Sequence, residues 1–186
     1  KVGKWLVYKF QLIIIVIIAS SCGGLVKKIA VKSTGSILSE ASYEVFNEGN
    51  WDIFYQGIPG NLKLIESLYH LDPTDENVLS SLVKAYAGYA FVVNETLALD
   101  DNYNEIEDSL NKQQAIFNYS KAVKYGAQFL KQNGVELKEL EALQKDKSKF
   151  DRYLRKVGTD DFGLGTLFFI AQAYGGLILL NQDDMR

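Results

Sequence analysis

A single cysteine, Cys22, excludes an intrachain disulfide, so the core alone must hold the fold together. The single histidine, His70, sits far away in an unrelated amphipathic stretch and reads as a surface or capping side chain. Without a base beside it the thiol is a poor nucleophile, and without a second histidine or a nearby cysteine no metal site is expected. No cofactor is expected either. Proline occurs only at Pro59 and Pro73, and no window sustains the alternation of apolar and polar residues that a strand needs. Basic residues do not predominate, at 20 against 23 acidic ones, which disfavours a nucleic-acid partner. The run "GTDDFGLG", Gly158 to Gly165, has neither the GxxxxGK[ST] form nor a preceding strand, so it is no phosphate loop. Mixed charges from Lys138 to Lys156 read as solvated helix faces.

What is present is core material, with 47% hydrophobic and 12% aromatic residues, and a distinctive N-terminal segment. Lys1, Lys4 and Lys9 precede an apolar run from Leu12 to Ala19, which small residues and then Cys22 follow. This is the order of a signal peptide, and eight apolar residues are too few to span the ~30 Å hydrocarbon layer. Ala19-Ser20-Ser21-Cys22 resembles a bacterial lipobox, which makes Cys22 the expected lipidation site and mature N-terminus. The alternative is a buried thiol at the end of an uncleaved anchor. Without Lys1, Lys4 and Lys9, 17 of the 20 basic residues remain against 23 acidic ones, a net charge of −6.

The body reads as all-α. After a basic tether with Ser and Gly, Leu38, Tyr43 and Phe46 begin a weak helical pattern. Leu62, Ile65, Leu68 and Tyr69 repeat at three to four residues, and Pro59-Gly60 either starts or kinks their helix. Asp72-Pro73 breaks the chain, and Thr74 or Asp75 can cap the next helix. Val78, Leu82, Tyr86, Tyr89, Val93 and Leu97 mark that helix, an acidic loop from Asp100 to Asp108 ends it, and a third stripe runs from Ile116 to Leu130 before Asn133-Gly134. Helix, Asp-Pro break, helix is loosely tetratricopeptide-like, a design in which hairpins bury their faces by stacking. Between Phe162 and Leu180 only Thr166 and Gln172 are polar. Acidic pairs at both ends and the absence of a basic flank argue for a buried helix over a membrane span, and Gly175-Gly176 and Ala87-Gly88 are two small patches that could bring neighbouring helices together.

The cysteine followed by "GIPGNLKLIESLYHLDPTDENVLSSLVKAYAGYAFVV", "YSKAVKYGAQFLKQ" and "DDFGLGTLFFIAQAYGGLILLNQDD" resembles the TatT family, lipoproteins associated with tripartite ATP-independent periplasmic (TRAP) transporters. The resemblance implies tetratricopeptide-like helical hairpins, a homotrimer, an apolar pore and a periplasmic substrate-binding protein as partner. It also implies a chain that continues beyond Arg186, so residues 50–186 are expected to be a C-terminally truncated domain behind a signal at 1–21 and a tether with a weak first helix at 22–49. The function expected is that of a membrane-tethered accessory lipoprotein, not an enzyme, which docks the binding protein and passes a hydrophobic or organic-acid ligand. The alternative is an envelope adaptor that binds peptides or proteins without a transport role. Tyr86, Tyr89, Phe91, Phe168, Phe169 and Tyr174 are the candidate pore-lining residues, although aromatics at helical spacing are individually more often core. Gly23 after the cysteine, rather than aspartate, favours the outer membrane over the inner.

Overall fold

In the computed structural model, residues 23–42, 44–45, 47–136, 138–139 and 146–182 are described, and among them the chain is all-helical with no strand. Cys22, Tyr43 and Phe46 lie outside the described residues, as do the signal segment and Asp183-Asp184.

The expected tether is instead helical from residue 23. This helix, α1 (23–42), docks through Val31, which is 2% exposed, and through Gly35, where an added Cβ would lie 3.0 Å from both Asp75 and Val78. Val31, Gly35, Leu38, Ser42 and Val45 follow a four-three-four-three spacing. Small and polar members at 35 and 42 hide that stripe from a reading based on hydrophobicity.

Helix α2 (Trp51–Leu71) begins where the Asn50 side chain accepts from the Asp52 and Ile53 amides. Pro59 therefore falls inside it rather than at its start. The helix carries one missing backbone donor there and buries Ile58, Leu62 and Ile65 on its inner stripe. It ends at Asp72, before Pro73, and Asp75 caps α3 (Glu76–Tyr89) by accepting from the Val78 amide at 2.9 Å. Between the two candidate caps Asp75 takes the role, while Thr74 bonds back to Asp72 at 2.7 Å.

Helix α3 is the centre of the domain and packs against α2, α5 (Leu110–Gln132) and α7 (Asp161–Leu180). At Ala90–Glu95 its backbone widens into a π-helical segment before continuing as α4 (Thr96–Tyr103), which takes up the first residues of the expected acidic loop. Ser109 caps α5, Asn133 terminates it, and Gly134 turns with φ +70°. A short exposed helix, α6 (Lys147–Leu154), leads through Gly158 at φ +105° to Asp160, which caps α7.

The buried-helix expectation for Phe162 to Leu180 holds for only one face. Gly163, Thr166, Ile170, Ala173 and Gly176 form the buried stripe, while Leu164, Phe168, Ile178 and Leu179 remain more than half exposed. By length and composition α7 could also cross a membrane, but a core helix passes the same test. Its small residues set close approach to α5. An added Cβ would fall 2.7 Å from Ile170 Cγ1 at Gly126, and 2.8 Å from Tyr119 Cδ2 at Gly176. Gly176 thus packs on the Tyr119 ring, and Gly88 faces α1 and α2, so the two small patches picked out in the sequence serve different contacts. Ser80 and Thr166, both fully buried, join α3 to α7. The Thr166 hydroxyl donates to the Phe162 carbonyl at 2.8 Å, which leaves the Ser80 hydroxyl to donate to Thr166 Oγ1 at 2.6 Å.

Candidate functional site

A stripe of small residues on α3 leaves space beneath α1 and α2. Ser81, Ala85 and Gly88 recur on one side of the helix, where large side chains would otherwise meet Leu38 and Val45 of the N-terminal segment and Phe54, Ile58 and Ile65 of α2. The result is a cavity of about 180 Å³ with a predominantly apolar wall. Tyr89 and Lys84 complete it on the α3 side. Among the described residues the Ser81 hydroxyl, buried in this wall, has no hydrogen-bond partner. Lys84 is half-buried, and among the described residues it pairs with no carboxylate; its ammonium stands 5.3 Å from the centre of the Phe162 ring. Burial lowers the Lys84 pKa from its ordinary value.

On α2, Glu66 follows Leu62 by one turn and, away from the cavity, reaches into a cluster of donors. Its carboxylate accepts from Lys63 at 2.8 Å, Tyr86 at 2.7 Å, Lys121 at 2.9 Å and Tyr125 at 3.0 Å. Burial alone would raise the Glu66 pKa, but the four donors outweigh it and hold the group at about 2. Tyr86 and Tyr125 are pushed up, first by burial and then by bonding to the same carboxylate. Tyr69 closes the cluster edge-on to Tyr125 and donates to Gln128, whose amide reaches the Pro73 carbonyl. This hub fastens α2, α3 and α5 together.

The π-helical segment builds a third polar contact. Its wider turn places Asn94, 1% exposed, where Asn118 donates to it at 2.7 Å, and places Glu95 where the Tyr119 hydroxyl donates to it.

Of the six aromatics singled out in the sequence, the structure brings only Tyr89 to the cavity wall. Tyr86 is 3% exposed and spends its hydroxyl on Glu66. Phe91 and Phe168 are exposed, and Phe169 stands edge-on to Phe168 at 5.4 Å. Tyr174 is half-buried against the core. Ser81, Lys84 and Glu66 escaped the sequence reading. The only available signal was the Ser81, Lys84–Ala85, Gly88–Tyr89, Val92 spacing, which marks a second stripe on a helix already assigned one. Among the described residues no group of three His, Cys, Asp or Glu is placed to hold a metal.

The family model described as "TAtT: TRAP transporter T-component" matches residues 47–186, about three quarters of the chain. The chain belongs to this TRAP transporter T-component family. Comparisons with curated proteins and with solved structures return no match. The matched span of this T-component contains α2 to α7, and so it includes the Glu66 hub and most of the cavity wall; Leu38 and its neighbours on the N-terminal side precede it. Membership associates the chain with the TRAP system, a transport role rather than an enzyme family, and with the membrane of the cell envelope.

Proposed function

We propose that this T-component is a periplasmic lipoprotein, tethered through Cys22, that docks the substrate-binding protein of a TRAP-type transporter and holds a hydrophobic ligand during transfer. The observation that carries the reading is the apolar cavity at the α1–α2–α3 junction of a chain in this family. A pocket of predominantly apolar wall with few polar groups suits an apolar or amphipathic small molecule. In this reading the protein acts as a carrier rather than an enzyme, as the transport role of its family supports. The α2–α3 hairpin is the tetratricopeptide-like unit in this reading, and the cavity is the segment of the pore within it. The open face of α7, with Leu164, Phe168, Ile178 and Leu179, is suited to burial in a homotrimer or against the partner.

The test is association with the TRAP substrate-binding protein encoded in the same genome, followed by analytical ultracentrifugation. A complex is expected, with the T-component itself sedimenting as a trimer; absence of a complex at ~100 µM of each protein, well above ordinary specific affinities, overturns docking. Fatty-acid labelling of cells tests the tether. Label in the wild type and none in Cys22→Ser is expected, whereas equal labelling removes Cys22 as the anchor.

A further inference from the structure

Helix α1 has an outer face that nothing among the described residues covers. Val31 and Gly35 dock the helix on the body. Roughly opposite to them, at 3.6 residues per turn, Leu25, Val26 and Ile29 occupy a sector of about 100°. These three are 60%, 60% and 57% exposed, in a stretch where every residue from 23 to 30 is exposed. Lys28 and Lys32 edge the sector on one side and Lys27 on the other. Among the described residues none of the three lysines makes a salt bridge. Asp72 and Glu76 border this end of α1, but the Asp72 carboxylate is engaged by the Thr74 amide and hydroxyl. Glu40, three turns beyond Ile29 on the same face, ends the apolar surface, which is thereby confined to the half of α1 next to Cys22.

We propose that this half of α1 lies in the headgroup region of an anionic bilayer, with Leu25, Val26 and Ile29 among the upper acyl carbons and Lys27, Lys28 and Lys32 reaching lipid phosphates. An apolar sector edged on both sides by lysines is the pattern of a helix that lies in a membrane interface. The lysine stems cover the flanks of the apolar sector while the ammonium groups stay at headgroup level. Charge complementarity selects the occupant, because each lysine near an anionic lipid surface strengthens binding about fivefold. A second copy is disfavoured, since contact through this same face on both partners sets the three lysines against their counterparts. Membership of the family already places the chain at the envelope membrane. Because α1 carries the body on its opposite side, the contact holds the domain in one orientation over the bilayer, with the α2–α3 turn beside it. This contact does not require acylation of Cys22, so it stands or falls apart from the tether.

The experiment uses the full chain with Cys22→Ser, which has no cysteine to acylate, and residues 1–21 are common to every arm. Ile29→Cys and Thr34→Cys, which lie about 140° apart around α1, each receive an environment-sensitive fluorophore. With vesicles of phosphatidylglycerol and phosphatidylethanolamine in about 0.1 M salt, the label at 29 is expected to shift to the blue and to be quenched by lipids spin-labelled near the headgroup, while the label at 34 stays in water. Replacing Lys27, Lys28 and Lys32 by Gln should weaken partitioning about fivefold per lysine on these vesicles and leave it unchanged on phosphatidylcholine. A chain that does not bind, a bound chain whose label at 29 stays in water, labels that shift alike, or lysine variants that partition as the parent chain does would each overturn the proposal. If Leu25→Ser with Ile29→Ser keeps vesicle binding but loses self-association or the substrate-binding protein, the face belongs to a protein contact and the proposal is likewise overturned.

Discussion

Replacing Glu66 by Gln tests whether the carboxylate charge, rather than the shape of the side chain, holds α2, α3 and α5 together. Gln keeps the size and one acceptor oxygen but removes the charge that Lys63, Lys121, Tyr86 and Tyr125 share. The shift from 4.5 to about 2 corresponds to a ceiling of about 3 kcal/mol at 1.36 kcal/mol per pH unit. The Glu66 side chain retains 18% of its exposure and Lys63 is largely in solvent, so screening reduces the expected loss to about 2 kcal/mol at pH 7. Because the folded pKa is depressed, this stability is present above pH 4.5 and is lost as the pH falls toward about 2. Urea unfolding at pH 7 and pH 3 should therefore show the gap between wild type and variant closing by more than half at the lower pH. A gap of the same size at both pH values would mean that Gln disturbs packing, and no gap at pH 7 would mean that the hub adds nothing to stability.

The adjacent glycines of α7 separate packing from propensity. Gly176→Ala pushes a methyl into the Tyr119 ring and should lower stability by about 2–3 kcal/mol, whereas Gly175→Ala meets nothing within 4 Å and should gain about 0.5 kcal/mol; urea midpoints decide, and equal effects would refute the close contact. Ala85→Leu adds three carbons to the cavity and should stabilise the fold by about 1 kcal/mol, after strain is set against ~0.8 kcal/mol per buried methylene, which raises the urea midpoint. A lowered midpoint would show that the space beside Ala85 does not admit the larger side chain.

The helices of the body were legible because their stripes are built of large apolar residues and their ends from recognisable caps. Asp75, Asp160 and the Asn133-Gly134 stop lie where the residue types suggest. Two features were less legible, for a common reason. Pro59-Gly60 left a helix start and a kink both open, and the Asn50 cap and the burial of Ile58, Leu62 and Ile65 on one stripe carry the helix through it, so tertiary packing overrides the local penalty. The first helix was underestimated because its contact stripe is anchored by Val31 and Gly35, and a glycine against Val78 reads as linker until its neighbour is known. The π-helical segment left no signal at all. An inserted turn changes which residues face inward without changing composition, and Asn94 and Glu95 are indistinguishable in sequence from surface residues. That only Tyr89 of the six aromatics reaches the cavity wall has a related reason: an aromatic side chain fills space, and a cavity forms where filling is withheld.

That last point explains how one helix serves both stability and binding. On one side of α3, Leu79, Leu82, Val83 and Tyr86 are buried to within 3% exposure and lock the domain to α2 and α5, with Tyr86 tied to the Glu66 hub. On the other side, Ser81, Ala85 and Gly88 leave a volume that, if empty, forgoes at most about 4 kcal/mol at ~24 cal/mol per Å³. A domain with a typical net stability of roughly 5–15 kcal/mol tolerates such a deficit only if other contacts are strong, and the four-donor hub one turn away on α2 is such a contact. The deficit is also recoverable. A ligand that fills the space and accepts from the Ser81 hydroxyl stabilises the folded state by mass action, so occupancy and stability rise together. The small stripe on α3 therefore links ligand binding to the packing of α1 and α2 over it, and it makes the junction of those three helices the part of the domain most responsive to what it carries.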